Sequence, residues 1–499
     1  MQERFSKRTG AGKGAAHRLR ADQRGFVLPV AAIFFVISIP LVGLVIDVGL
    51  DYLVQTKLQM AIDAAALAGA RSLSRGNDTG TQQTNAMATA QAYLAANFPQ
   101  GYLGVSTPAV SALSVDESQI NVRSLTITAS STVPFYFMSW FGGKGTTVGA
   151  SATATRRDVN VMLVMDRSGS LANSGSCAPL MAAATGFVSK FANGRDNVGL
   201  LTFATSSRVD FPLANNFNTA SPSVSTIINE VSCTGATSSA QALWNAYQAL
   251  AALAQPTALN VILFFTDGQP TAVTSVMPKK AGSTCTKAGP FTGVFTVGFQ
   301  TTSPFSPVGT GGIFDYRAPA QPFSSDETLM GGTPADGNPA GCAFAANWTS
   351  SWSSAANDIA GVPTLDIWGN NLTNGYQTVS TTSVSGKNYV TVPSNSTGAL
   401  NMINASTNAA DDAASRIRAA ASPGNGASGL SQIVIYSIGL GNSTYPANAG
   451  FLVRVANDPS NNPIYDSAAG TGKYYFAPSA SDLSNAFAQV ADQILHLAK

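Results

Sequence analysis

Five oxygen-bearing side chains lie in three short segments of this 499-residue chain, and their types are those that bind hard cations. Asp166, Ser168 and Ser170 have the spacing D-x-S-x-S, Thr237 follows Gly-Ala, and Asp267 lies in Thr-Asp-Gly. Carboxylate and hydroxyl oxygens suit Mg²⁺, Ca²⁺ or Mn²⁺ and disfavour zinc and copper. These residues therefore predict an oxygen-only site for a divalent cation, with Mg²⁺ as the first choice.

Four unbroken apolar runs predict the strands that bring these segments together. Such runs are typical of parallel strands covered on both faces, and they occupy 159–166, 198–203, 261–267 and 433–441. Between them, apolar residues at helical spacing predict helices, among them Leu180, Ala184, Phe187, Val188 and Phe191, then Leu243, Tyr247 and Leu250. The alternation predicts an α/β fold with a doubly wound parallel sheet, whose ligand site lies at the carboxyl ends of the strands.

The D-x-S-x-S loop, the threonine loop and the T-D-G strand end together resemble the metal-ion-dependent adhesion site (MIDAS) of von Willebrand factor A domains. All five positions of that site are present, and the resemblance runs from about residue 158 to the end of the chain. The family implies a Rossmann-like sheet and a divalent cation that keeps one coordination position free for a carboxylate of a binding partner. The alternative is a scaffold domain whose site binds no metal.

Two further predictions concern the surroundings of this site and the end of the domain. Arg167, inside the motif, is predicted to be a solvated side chain; if it pointed inward, it would weaken cation binding by like-charge repulsion. A closing helix is predicted with one apolar face, made by Leu483, Phe487, Val490, Ile494 and Leu497.

The N-terminus combines a basic tail with an uncharged apolar run. Residues 1–24 carry a formal charge of +5, and the 21 residues 26–46 contain no charged side chain. About 20 helical residues cross a bilayer core, and the positive-inside rule keeps the basic flank in the cytoplasm. We therefore predict a single membrane span with everything after Asp47 on the far side. A cleaved secretory signal, whose apolar region would be shorter, is the alternative.

A helical pattern continues out of the span and is followed by a β-rich segment. Leu50, Val54, Leu58 and Ile62 recur every four residues and lead into an alanine-rich stretch, so the same helix is predicted to project from the membrane. Its small residues permit close packing, either on its own domain or against partner helices. From about 105 to 155, alternating β-formers predict a small β-rich module.

The apolar run, the alanine-rich helix and the β-rich segment, in this order, resemble the TadE/TadG-like proteins of bacterial Tad (Flp) pilus assembly. The resemblance covers about the first 150 residues. It implies a single-pass protein of the bacterial inner membrane, with a cytoplasmic N-terminus and a bulk that is periplasmic or surface-exposed. Type IV prepilins place a glutamate five residues after the cleaved glycine, whereas Val30 follows Gly25 at that distance here. We therefore interpret the span as an anchor.

All four cysteines lie beyond the span, in a compartment where disulfides persist. Cys177 follows the D-x-S-x-S loop by seven residues and Cys233 precedes Thr237 by four, so both are expected near the same edge of the sheet. We predict a Cys177–Cys233 disulfide and, by exclusion, a Cys285–Cys342 disulfide. Free buried thiols are the alternative, and a zinc site is disfavoured because the chain has no C-x-x-C pair.

The predicted domain organisation has four intervals. These are a basic tail at 1–24, the span and its projecting helix at 25–75, the β-rich module at 76–156, and the von Willebrand factor A domain at 157–499. About 165 residues separate Asp267 from the last long strand, which is far more than an ordinary connection and predicts a loop-rich insertion at about 272–430. Because the insertion starts just after Asp267, we expect it beside the cation site.

Composition excludes several classes of function. The formal net charge of +2 provides no field to attract nucleic acid, and the two histidines, His17 and His496, lie near the chain ends. A histidine-based triad therefore has no base. We predict that the protein is not an enzyme and binds neither nucleic acid nor a small-molecule substrate.

The predicted function is that of a membrane-anchored interaction module in Tad/Flp pilus assembly or adhesion. Its cation would bind a carboxylate of other pilus-assembly or surface proteins, and residues 26–46 would hold it in the membrane. Two alternatives remain, a metal-free scaffold of the pilus machinery and, less favoured, a cation-dependent hydrolase.

Overall fold

A computed structural model describes residues 27–119, 121–255, 257–282, 290–299, 307–314, 360–384, 386–391, 396–421, 430, 432–441 and 447–498. The basic tail, Phe26 and the predicted Cys285–Cys342 disulfide lie outside these residues. The helices are α1 (Val27–Ser72), α2 (Thr79–Asn97), α3 (Gly169–Asn173), α4 (Cys177–Val188), α5 (Val224–Glu230), α6 (Ser239–Leu253), α7 (Ser396–Ala420), α8 (Ala449–Ala456) and α9 (Leu483–Leu497). The strands are β1 (Ala109–Asp116), β2 (Val122–Val133), β3 (Thr146–Arg157), β4 (Val159–Asp166), β5 (Asn197–Phe203), β6 (Ser207–Ala214), β7 (Leu259–Thr266), β8 (Ala272–Met277), β9 (Phe291–Phe299), β10 (Pro307–Phe314), β11 (Val362–Pro363), β12 (Thr381–Val384), β13 (Lys387–Val390), β14 (Ile433–Leu440) and β15 (Tyr474–Ala477).

Helix α1 contains the predicted span and continues without a break into the predicted projecting helix. It has 46 residues, and among the described residues it is the one helix long and apolar enough to cross a membrane. Up to Ile46 its large apolar side chains are exposed, whereas Val54, Leu58 and Ile62 are fully buried against α2 and a small sheet. The projecting part therefore docks on its own domain, which was the first of the two alternatives.

The module beside α1 has an antiparallel sheet of order β1-β2-β3 and an additional helix. The interval 76–156 was predicted to be β-rich, but its first part is helix α2. Asp78 caps this helix, because its carboxylate accepts a hydrogen bond from the Thr81 N–H (2.8 Å). Its buried residues Ala86, Ala90 and Leu94 recur every four positions and face α1. Small residues make this periodicity weak, so the sequence pattern did not reveal it.

The main sheet has six strands in the order β15-β14-β7-β4-β5-β6. The four predicted apolar runs correspond to β4, β5, β7 and β14, and all four are parallel. The predicted doubly wound parallel sheet is therefore confirmed, and one edge is extended by β6, which runs antiparallel to β5. Only residues 204–206 separate these two strands. A connection this short allows an antiparallel partner and no crossover.

Helices cover both faces of this sheet. One buried cluster holds residues of α6, α7 and α8, and the other holds residues of α4, α5 and α9. In the closing helix α9, four of the five predicted apolar residues are fully buried, but Leu497 is 42% exposed. The predicted face therefore ends one turn earlier, at Ile494.

The long segment between Asp267 and the last long strand is an insertion between neighbouring strands of the sheet, since β7 pairs directly with β14. Its described part contains two small sheets, of order β10-β9-β8 and β11-β13-β12. Helix α7 lies within the predicted interval 272–430, yet it packs on α6 and buries Met402 and Ile403 in the same core. This helix is therefore the crossover that leads into β14.

A buried cluster of charged side chains joins the module beside α1, which contains α2 and the sheet β1-β2-β3, to the main sheet. Arg123 on β2 and Arg156 on β3 approach Asp158 Oδ1 at 3.4 and 3.6 Å, and Arg195 approaches Asp158 Oδ2 at 3.0 Å. Arg156 also pairs with Asp196 at 2.6 Å. Burial lowers the pKa of Arg123 to about 10, and it also raises the pKa of Asp158 despite the three arginines. The removal of water from these groups therefore costs free energy, which their ion pairs and hydrogen bonds offset.

Candidate functional site

The two predicted carboxylates and the two serines are linked by hydrogen bonds at the carboxyl end of the main sheet. Asp166 ends β4 and Asp267 follows β7, and these strands are paired in parallel. The Ser168 N–H donates to Asp166 Oδ1 (2.8 Å), and the Thr266 hydroxyl donates to Asp166 Oδ2 (2.5 Å). The Ser168 and Ser170 hydroxyls are 2.9 Å apart, and the Ser170 hydroxyl donates to Asp267 Oδ1 (2.7 Å). Four of the five predicted ligands therefore form one connected group.

The fifth predicted ligand, Thr237, lies on the loop packed against this group. The Gly169 N–H donates to the Gly235 carbonyl (2.9 Å), which holds the threonine loop beside the D-x-S-x-S loop. The Thr237 N–H donates to the Thr271 hydroxyl (2.9 Å), and the Thr271 N–H returns a bond to the Thr237 carbonyl (3.0 Å). Thr271 lies at the start of the insertion, so the insertion does begin beside the site.

One carboxylate oxygen in the group has no hydrogen-bond partner. Asp267 Oδ2 is buried and unpartnered, although Asp267 Oδ1 accepts from Ser170. Among the described residues, no three His, Cys, Asp or Glu side chains form a metal-binding group. The donor set is therefore two carboxylates with neutral hydroxyls, which is suited to a hard divalent cation. An unpaired buried carboxylate oxygen costs free energy that a bound cation would recover, so these residues fit such an ion.

The protonation of the two aspartates reflects their burial. Both side chains are fully buried, and burial raises the pKa of Asp166 to about 6, against hydrogen bonds that lower it. Burial also raises the pKa of Asp267 well above its ordinary value, and the neighbouring negative charge of Asp166 raises it further. A positive charge bound between these two carboxylates would favour the ionised form of both.

We expect the free energy of unfolding of the metal-free protein, kept in EDTA, to fall as the pH rises from about 4 to about 7. The folded-state pKa of Asp166, about 6, lies above its ordinary value of 3.8, so the folded state binds more protons in this window. The stabilisation from Asp166 is therefore complete below about pH 4 and is lost as the pH rises through 6, with an amplitude of about 3 kcal/mol for this group. Asp267, whose pKa is also raised, adds to the fall in the same direction. Urea unfolding in EDTA at a series of pH values would measure it.

The Asp166→Asn variant provides the control for this pH dependence. Removing the Asp166 charge also removes the repulsion on Asp267, so the variant should show a clearly flatter profile. Asp366, whose pKa burial likewise raises to about 6, titrates in both proteins and cancels in the difference. Parallel profiles in the two proteins would contradict the prediction.

The prediction that Arg167 is solvated is wrong, since the residue is only 3% exposed. Its N–H donates to the Phe203 carbonyl (2.9 Å) and its carbonyl accepts from the Thr234 N–H (2.7 Å), so its backbone joins the D-x-S-x-S loop to the end of β5 and to the segment that precedes Thr237. Its positive charge lowers the pKa of Asp166, against the larger effect of burial. Arg167 therefore favours the ionised carboxylate, and the same charge repels a cation.

The predicted disulfide between Cys177 and Cys233 is confirmed. The two residues are 56 positions apart in the sequence, and their Cα atoms are 6.1 Å apart. Cys177 begins α4, just after the D-x-S-x-S loop, and Cys233 lies just before the threonine loop. The bond therefore restrains two loops that carry predicted cation ligands.

Three supporting threonines were not predicted. Thr266 donates to Asp166, Thr271 binds the Thr237 backbone, and the Thr205 hydroxyl accepts from the Ala236 N–H (3.1 Å). The sequence did contain a signal for two of them, since Thr205 and Thr266 lie at or just after the carboxyl ends of predicted strands. These threonines support the site through hydrogen bonds to the predicted ligands or to their loops. Which threonines can do so depends on which strands are neighbours in the sheet, and a single sequence motif does not specify that order.

Two family models match the sequence. The model described as putative Flp pilus-assembly TadE/G-like matches residues 25–72, which are mainly helix α1. The model of the von Willebrand factor type A domain matches residues 161–269, which include all five predicted cation ligands. Both resemblances drawn from the sequence are therefore confirmed. No curated protein matched the sequence.

Several solved structures are similar to this one. The PilB minor pilin from Streptococcus sanguinis has 13% identity and a TM-score of 0.32, with 80% of each chain covered. The von Willebrand factor domain of the type V pili tip protein Mfa5 from Porphyromonas gingivalis has 13% identity and a TM-score of 0.36, with 69% of this chain and 98% of that chain covered. Proximal thread matrix protein 1 from the mussel byssus, in a structure with a zinc occupied MIDAS motif, has 12% identity and a TM-score of 0.31, with 67% of this chain and 47% of that chain covered.

Proposed function

Because the chain joins a TadE/G-like segment to a von Willebrand factor type A domain, we propose that this pilus-associated protein is a membrane-anchored interaction module of Tad/Flp pilus assembly or adhesion. It captures a partner protein through a divalent cation, most simply Mg²⁺, held at the end of the main sheet. The observation that carries the proposal is the buried, unpartnered Asp267 Oδ2 beside a second buried carboxylate.

The side chains of the site fall into two groups, charged carboxylates and neutral hydroxyls, with different roles. Asp166 and Asp267 provide the negative charge that holds the cation, and the hydroxyls of Ser168, Ser170 and Thr237 provide neutral donors. The bound cation supplies a positive charge with an open position for a carboxylate of a pilus-assembly or surface protein. Neutral donors leave more of that positive charge available to the partner than additional carboxylates would.

Helix α1 provides the anchor in this proposal. Its exposed apolar part crosses the inner membrane once, the basic tail stays in the cytoplasm, and the module and the von Willebrand factor A domain lie in the periplasm or at the surface. The buried arginine and aspartate cluster between the two parts holds the cation site at a defined orientation to the module beside α1.

The proposal is tested by replacing Asp267 with asparagine in the chromosome of the source bacterium. We expect the number of Flp pili per cell, or the attachment of cells to a surface, to fall at least about tenfold, because the neutral side chain removes half of the charge that holds the cation. The amount of protein in the membrane fraction should be unchanged. Piliation is counted by electron microscopy and attachment by adherent cell number.

The matched control is Asp492→Asn, which changes an exposed carboxylate on α9. This strain should retain wild-type piliation and attachment. If the Asp267→Asn strain also keeps both at equal protein levels, the cation-dependent function is wrong and the metal-free scaffold is the better interpretation.

A further inference from the structure

The loop that joins β2 and β3 exposes aromatic side chains to an unusual degree. This aromatic loop, residues 134–143, has the sequence PFYFMSWFGG and contains a single helical turn, Met138–Phe141. Trp140 is 90% exposed and Phe141 is 64% exposed, and Tyr136 and Phe137 are about half exposed. Contiguous exposed apolar surface of this kind indicates an interaction site.

The loop is attached to helix α1 by one carboxylate. Asp47 is 2% exposed and accepts hydrogen bonds from three consecutive backbone N–H groups, those of Tyr136 (3.0 Å), Phe137 (3.2 Å) and Met138 (2.8 Å). Asp47 is the first charged residue after the apolar run. The carboxylate therefore satisfies three backbone N–H groups of the loop and fixes the loop to α1.

A second contact lies one helical turn closer to the N-terminus. A Cβ atom placed on Gly43 would approach Phe137 Cβ to 2.6 Å, so Phe137 packs directly on the α1 backbone at this glycine. Gly43 and Asp47 are four residues apart and therefore lie on the same face of the helix. Together they position the loop against the last turn of the apolar run.

The position of this contact along α1 coincides with the edge of a bilayer. Residues 27–46 rise about 30 Å as a helix, which is the thickness of the hydrocarbon core. The loop contacts α1 at residues 43–47, at the end of that length. An apolar trough of about 440 Å³ lies there, lined by Ile46, Leu50, Leu103, Tyr136, Phe137 and Trp140. Its surface is continuous with the exposed apolar surface of the span.

We propose that the aromatic loop inserts into the bilayer interface around the emerging span, as a second contact with the membrane. Trp and Tyr favour this interface because they combine an apolar ring with a polar group. The inference rests on the proposed membrane anchoring and adds a defined depth and rotation for α1. The loop thereby sets how far the cation site stands from the lipid surface.

The experiment uses tryptophan fluorescence of the full chain in phosphatidylcholine nanodiscs. Lipids brominated at carbons 6 and 7 quench tryptophans in the shallow part of the bilayer. The chain has five tryptophans, so the wild-type protein should lose about a fifth of its emission in brominated discs. The Trp140→Phe variant should lose almost none of its emission, because the replaced ring carries the quenching.

The matched control is Trp244→Phe, which removes a half-buried tryptophan of α6 that stacks on Arg416. This variant should lose about a quarter of its emission, because Trp140 is then one of four tryptophans. Equal quenching of the wild type and Trp140→Phe would overturn the inference. A neighbouring membrane protein, rather than lipid, would then be the better candidate for the partner that contacts the loop. Flotation of vesicles after an alkaline wash separates the two proposals: a protein that fails to float refutes the anchor itself, whereas a floating protein without Trp140-dependent quenching refutes only the loop.

Discussion

Replacing Asp166 with alanine is expected to weaken the binding of Mg²⁺, Mn²⁺ and Ca²⁺ by more than about 100-fold. Asp166 and Asp267 are the two carboxylates of the connected group, and the other predicted donors are neutral. Asp166 also receives bonds from the Ser168 N–H and the Thr266 hydroxyl, so its loss leaves both donors without their acceptor. The variant thus loses a negative charge and also the hydrogen bonds that hold the Ser168 backbone and the Thr266 hydroxyl in place.

Calorimetric titration of the three cations into the wild type and the variant would measure this effect. The full chain in nanodiscs is the appropriate protein, because Arg123 of the module beside α1 is part of the charge cluster with Asp158 and would be missing from an isolated von Willebrand factor A domain. Asp492→Ala, in an exposed position on α9, should bind like the wild type. Undiminished binding by Asp166→Ala would show that the cation is held elsewhere, and no binding by the folded wild type would favour the scaffold.

The second large effect is expected on stability, from Asp196→Ala. Asp196 is fully buried and accepts hydrogen bonds from Arg156 (2.6 Å), the Val159 N–H (3.0 Å) and the Ala192 N–H (2.6 Å). Its removal leaves Arg123, Arg156 and Arg195 around Asp158 with too little negative charge. Removing one member of a buried ion pair costs about 3–5 kcal/mol, and each orphaned buried N–H adds about 1–3 kcal/mol.

Denaturant unfolding of the full chain, followed by circular dichroism, would measure this loss. We expect the free energy of unfolding to fall by at least about 3 kcal/mol, or the variant to accumulate poorly. Asp196→Asn keeps an acceptor oxygen and the size of the side chain, so it should lose less. Asp492→Ala should change the stability by less than about 0.5 kcal/mol. A loss below about 1 kcal/mol in Asp196→Ala would mean that the cluster contributes little to the junction.

Several features of the fold could be predicted from local sequence. Strands buried on both faces must be apolar at every position, so β4, β5, β7 and β14 were visible as unbroken runs, and β4 has the predicted bounds 159–166. The ligand types could also be predicted, because D-x-S-x-S and T-D-G are short patterns at strand ends. Helix α2 was missed because much of its buried face is alanine, and the edge strand β6 was missed because it is not an unbroken apolar run.

Other features depend on contacts between distant segments. The burial of Arg167 accompanies backbone bonds to Phe203, at the end of β5, and to Thr234, both of which are more than 30 residues away in sequence. The cluster around Asp158 and Asp196 likewise joins strands β2 and β3 of the small sheet to the main sheet. The sequence shows which residues are charged but not which of them pair, because pairing between distant segments is determined by strand order and packing.

The sequence by itself determined the chemistry available to this protein: an apolar segment long enough to cross a membrane, a set of hard oxygen donors, and four cysteines on the C-terminal side of that segment. These properties reside in residue types and short spacings, which folding does not alter. The tertiary structure decided how the groups are used. It left Asp267 Oδ2 without a partner, raised the pKa of both site aspartates by burial, and attached the aromatic loop to α1 through Asp47. Such effects arise from the exclusion of water and from long-range contacts, and only the assembled chain provides both.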